Sequence, residues 1–100
     1  MDDREALYDT EIAPALRALA ERCAEQGMSF AAAVQFSDEG IGSTVKLASL
    51  AHPAVRMTAY AARSNGNADN LIMSLQRDGR DHGHNSFYLQ MLDKFVRDND

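Results

Sequence analysis

The sequence predicts an α+β fold: an N-terminal helix, an antiparallel β-hairpin, then three helices packed on one sheet face. Three observations predict it. Apolar residues recur with helical spacing from Ile12 to Cys23, the period drops to two between Met28 and Phe36, and helical spacing returns after Pro53. At 100 residues the chain has the length of one domain, taken as residues 1–100.

The first helix follows from Ile12, Leu16, Leu19, Ala20 and Cys23, which share one face, and from Gly27 as its stop. Asp9 or Thr10 is the expected N-cap, because Pro14 is tolerated only near a first turn; a start nearer Asp3 forces Pro14 to distort the helix. Met28, Phe30, Ala32, Val34 and Phe36 then alternate with Ser29, Ala31, Ala33 and Gln35, as in a strand with one buried face. Residues 37–42 (SDEGIG) read as a turn in which two glycines offer positive φ, and residues 43–50 as the returning strand.

Pro53 suits the first position of a second helix, with Ala54, Met57, Tyr60 and Ala61 as its apolar face and Ser64-Asn65-Gly66 as its end. Asn67 caps a third helix bearing Leu71, Ile72 and Leu75, with an exit expected around residues 78–81 (DGRD). A last helix carries Phe87, Tyr88, Met91, Leu92, Phe95 and Val96 and ends in the charged residues 97–100. Two strands are marginal alone and leave open edges, so a second copy completing the sheet, and hence a homodimer, is expected.

Composition narrows the function classes. A net charge of −5 argues against direct nucleic-acid binding. The charge is uneven: residues 1–40 carry −6, residues 41–77 carry +3 and residues 78–100 carry −2. Sixteen alanines and no Trp make the core thin. The single cysteine, Cys23, excludes an intramolecular disulfide, and no apolar run is long enough for a membrane span, so a cytoplasmic protein without membrane contact is expected.

No catalytic signature is present, so the chain reads as no enzyme and needs no cofactor. Cys23 lies on an apolar stripe, where a thiol behaves as a small hydrophobe. Residues 40–43 (GIGS) lack the third glycine and the lysine of a phosphate loop. The sharpest cluster is Asp78, Asp81, His82 and His84, where two imidazoles could ligate a metal given further ligands such as His52 or Cys23; the plainer reading is a helix–helix connection. Arg56, Arg63 and Arg77 could receive an anion or an acidic partner, or pair internally with the acidic first helix. Asp38 and Glu39 at the hairpin turn could enter a basic groove of a partner. Met28, Met57, Met73 and Met91 read as core filler rather than as an adaptable binding surface.

Residues 7–16 (LYDTEIAPAL), 65–73 (NGNADNLIM) and 81–86 (DHGHNS) resemble small uncharacterised proteins encoded in phages and prophages of Pseudomonas-type and related proteobacteria. The resemblance covers most of the chain. It implies an accessory role in the bacterial host cytoplasm and carries over no activity, cofactor or site. The expected function is therefore that of a phage-type accessory protein binding a host protein or complex, with inhibition of a defence or nucleic-acid-binding complex as one version. A small metal-binding protein using His82 and His84, and a structural phage component, are the alternatives.

Overall fold

The computed structural model describes residues 3–98, which follow the predicted order of helix, hairpin, helix, helix and helix. The class is α+β. Two compact units form, Met1–Gly66 and Asn67–Asp100. Residues 99 and 100 of the charged terminus lie outside the described residues.

The first unit opens with one helical run in three pieces: α1 (Asp3–Leu7), a π-helical turn (Tyr8–Ile12) and α2 (Ala13–Glu25). The helix therefore starts well before the expected cap at Asp9 or Thr10, and Pro14 explains the π-turn. Proline has no N–H to donate, and its ring presses on the carbonyl four residues back, here that of Thr10. Widening the preceding turn relieves that clash, and the widening is visible where Ala13 N–H donates to the Tyr8 carbonyl, five residues back. The Thr10 hydroxyl meanwhile donates to the Ala6 carbonyl at 2.8 Å.

Helix α2 buries Ala13 and Ala20 and half-buries Leu16 and Cys23, while Ile12 and Leu19 of the expected stripe stay exposed. It ends in a Schellman motif: Met28 N–H reaches the Cys23 carbonyl, Gly27 N–H reaches that of Ala24, and Gly27 takes φ +73°.

Strands β1 (Phe30–Gln35) and β2 (Ile41–Lys46) pair antiparallel, from Phe30 opposite Lys46 to Gln35 opposite Ile41. The return strand thus begins and ends earlier than the expected residues 43–50. Neither Gly40 nor Gly42 has positive φ. What both supply is room: a Cβ at Gly42 would overlap the Tyr8 ring, and one at Gly40 would overlap the Phe36 ring and the Ser37 hydroxyl. The Ser37 hydroxyl instead accepts the Gly40 N–H at 2.8 Å, closing the turn. Tyr8 is buried and stacks on Phe36 with ring centroids 5.0 Å apart.

Phe30, Ala32, Val34 and Phe36 are half-buried, as predicted for the inner face, but Met28 of that face is exposed; on the other face Ala33 and Gln35 are exposed and Ser29 and Ala31 half-buried. Helix α2 lies chiefly against β2, and α3 (Pro53–Ser64) chiefly against β1. His52 caps α3 with Nδ1, which accepts the Ala54 N–H at 3.0 Å, and Pro53 occupies its first turn. The helix presents Val55, Ala59 and Ala62 inward; of the expected face only Tyr60 is half-buried, while Ala54, Met57 and Ala61 are exposed. Ala59 is fully buried, so the helix approaches the strand closely through a residue without bulk.

In the second unit, α4 (Ala68–His82) is capped by Asn67, whose Oδ1 accepts the Asn70 N–H at 2.9 Å. It runs through the expected exit at 78–81 to Gly83, which takes φ +82°. The Ser86 hydroxyl then caps α5 (Phe87–Asp98) by accepting the Leu89 N–H. No helix of the described residues is long and apolar enough to cross a membrane.

The Tyr8–Gly42 fit predicts that Gly42→Ala destabilises the chain by about 1–3 kcal/mol in urea unfolding, as overpacking does. Combined with Tyr8→Ala, the cost should fall well short of additive; full additivity would deny the contact.

Candidate functional site

His82 and His84 carry the metal reading. His82 closes α4 and points Nε2 at Asp78 Oδ1, 3.9 Å away and buried. His84 follows the turn at Gly83; its ring lies against Gly79, where a Cβ would overlap it. Its Nδ1 accepts the Ser86 N–H at 3.0 Å, and its Nε2 faces Asp93 Oδ2 at 3.8 Å. Gln76 donates to the other oxygen of Asp93 at 3.3 Å. The two imidazoles thus serve two different carboxylates. The described residues contain no group of three or more His, Cys, Asp or Glu placed to hold a metal ion. His84 also has no ring nitrogen left to act as a base, and His52 spends Nδ1 on its cap. Of the expected connection only residues 83–86 lie between helices; Asp78, Asp81 and His82 belong to α4, and His82–Asp78 is a contact within that helix.

Cys23 is half-buried and lines an open groove of about 440 Å³ with Leu19, Arg22, Glu25, Gln26 and Met28. No imidazole lines it; the titratable side chains beside the thiol are Arg22 and Glu25. Of the arginines, Arg56 is half-buried and donates from Nη1 to the Ala51 carbonyl, which ties α3 to the loop before it. Arg63 is exposed on the same helix, and Arg77 is exposed on α4 of the second unit.

The hairpin tip lies beside the start of α1, with Arg4 Nη2 4.0 Å from Asp38 Oδ1. Asp38 and Glu39 are exposed there, and the fold thereby joins two acidic segments that are far apart in sequence. Asp3, Glu5, Asp9 and Glu11 continue the acidic character along the helix.

Comparison with protein-family models, curated protein sequences and solved structures finds no match to this chain. The site must be read from its own chemistry.

The surface that sequence reasoning missed is apolar. Met28, Met57, Met73 and Met91, expected as core filler, are all about half exposed. On α5, Phe87, Tyr88, Met91, Leu92 and Phe95 face outward, while Leu89 and Asp93 turn inward. The only sequence signal was that α5 has more apolar positions than one contact face can absorb.

If the connection reading holds, His84→Ala lowers stability by about 1–3 kcal/mol because a Ser86 N–H loses its acceptor, whereas the half-exposed His82→Ala costs under about 1 kcal/mol. Calorimetry separates them. Added zinc should leave the melting temperature unchanged, and a stabilisation saturating at one ion per chain would restore the metal reading.

Proposed function

We propose that this protein works by binding another protein, as a phage- or prophage-type accessory factor in the host cytoplasm that occupies a defence or nucleic-acid-binding complex. One observation carries the reading: where the large apolar side chains are. Fifteen stand exposed among the described residues, while the buried apolar set is Tyr8 and four alanines. Monomeric soluble proteins seldom expose contiguous apolar patches beyond a few hundred Å², and the larger ones mark interaction surfaces. The placement of the three histidines and of Arg56 in structural contacts supports binding over catalysis.

The acidic end of the first unit supports a basic target. Asp38 and Glu39 with the carboxylates of the first helix form an anionic edge suited to a groove that otherwise holds a nucleic-acid backbone. Charge of this kind acts mainly on the rate of encounter.

A direct measurement is affinity capture from host lysate, purification of the captured protein, and association kinetics across salt. Association should slow steeply as salt rises, and Asp38→Lys with Glu39→Lys should slow it by about tenfold or more at low salt. Salt-independent association would remove the electrostatic version, and absence of any saturable partner would remove the reading as a whole.

A further inference from the structure

Helix α5 carries a patch whose pattern matches itself. Phe87, Met91 and Phe95 stand four residues apart, so they form one row along the helix, with Tyr88 and Leu92 beside it. The row reads the same in both directions about Met91. The exposures are 67% for Phe87, 75% for Tyr88, 53% for Met91, 37% for Leu92 and 66% for Phe95. At about 200 Å² for an aromatic residue, the three rings alone leave roughly 400 Å² open, and Met91 and Leu92 raise the patch to somewhat under roughly 600 Å².

We propose that two copies of the chain pair through α5, antiparallel, with Met91 on the two-fold axis. Phe87 of one copy then packs on Phe95 of the other at both ends, and Met91 meets its own symmetry mate. Tyr88 and Leu92 form an apolar shoulder, while Gln90 and Lys94 form the polar one. An isologous interface requires such self-complementarity, and a palindromic row supplies it without any second surface.

Area and self-complementarity both favour a second copy as the occupant. Two such patches with their polar shoulders approach about 1,200 Å², the lower bound for a stable specific interface. The row holds no charged side chain, and the acid nearest it, Asp93, is engaged by His84 and Gln76 within its own unit. The charge beside the row is Lys94, on the polar shoulder. The surface differs from the acidic end assigned above to a host target, so the pairing does not rest on that assignment.

Sedimentation equilibrium of the full chain tests this, with circular dichroism confirming that each variant stays helical. The wild type should reach a dimer at micromolar concentration, and Met91→Lys should raise the dimer Kd by about tenfold or more. Met91→Gln should weaken the dimer in the same direction and serves if the lysine variant loses its helices. The decisive mixture is Phe87→Lys with Phe95→Glu. Each alone should be monomeric, and together they should form a heterodimer in which the two introduced charges, opposite in sign, face each other at one end while Phe still meets Phe at the other. A wild type that stays monomeric overturns the proposal, since the face is then covered within the chain or kept for another protein. A dimer unmoved at Met91 overturns it in favour of another contact such as the hairpin edges. Two monomeric variants that fail to rescue each other overturn the antiparallel register.

Discussion

The stacking of Tyr8 on Phe36, in the space that Gly42 leaves open, sets the geometry of the first unit. Tyr8 is the largest buried apolar residue, and an aromatic side chain of this kind removes about 150–250 Å² from water. Three otherwise unconnected features serve that placement. A helix broken at Pro14 would leave Tyr8 outside it; the π-turn lets the helix run continuously from Asp3 to Glu25 and carries Tyr8 on its first residue. Gly42 within a strand would ordinarily weaken it, but here any side chain would displace the ring. Gly40 does the same for the Phe36 ring that receives Tyr8.

The rest of the core is made by closeness more than by bulk. Ala13, Ala20, Ala51 and Ala59 are buried, and no large side chain among the described residues is fully so. Alanine contacts bring helices close to the sheet but remove little area each, and hydrophobic stabilisation scales with area. Helix ends therefore matter more than usual. His52, Asn67 and Ser86 each satisfy a backbone N–H at a helix start, and such caps contribute about 0.5–2 kcal/mol apiece. Arg56 at the Ala51 carbonyl and Ser29 accepting the Ala48 N–H at 2.9 Å hold the loop between β2 and α3 by the same means.

Element order, the inner face of β1 and the stops at Gly27, Asn65 and Gly66 were legible because each rests on a local rule: period two, helix capping, left-handed backbone. Faces made of alanine were not. Ala54, Ala59, Ala61 and Ala62 are equally suited to either side of α3, and only the approach of β1 selects Ala59. The π-turn was half legible: Pro14 announces a distortion if the helix starts early, but the early start depends on Tyr8 finding Gly42 across the sequence. The exit of α4 was misplaced because Gly79 looks like a stop, whereas the helix keeps it to make room for the His84 ring. In the candidate site, the residue types were visible and the partners were not. Nothing in a His-Gly-His spacing says that one ring serves Asp78 and the other Asp93.

The uneven charge and the uneven placement of apolar residues bear on different quantities. Carboxylates at the hairpin tip and first helix are solvent-exposed, so their interactions are screened within about 10 Å at moderate salt and act on approach. Phe87, Met91 and Phe95 act only on contact, by the area they remove from water, and so govern how long a complex lasts. The two kinds of surface belong to different compact units, the acidic edge to Met1–Gly66 and the apolar row to Asn67–Asp100. On the proposed readings, each unit would carry its own mode of recognition. The basic stretch of the middle resolves in the same way: Arg56 is internal to the first unit, Arg63 is exposed there, and Arg77 belongs to the second. What looks in sequence like one cationic segment is four side chains, Lys46, Arg56, Arg63 and Arg77, carried on β2, α3 and α4.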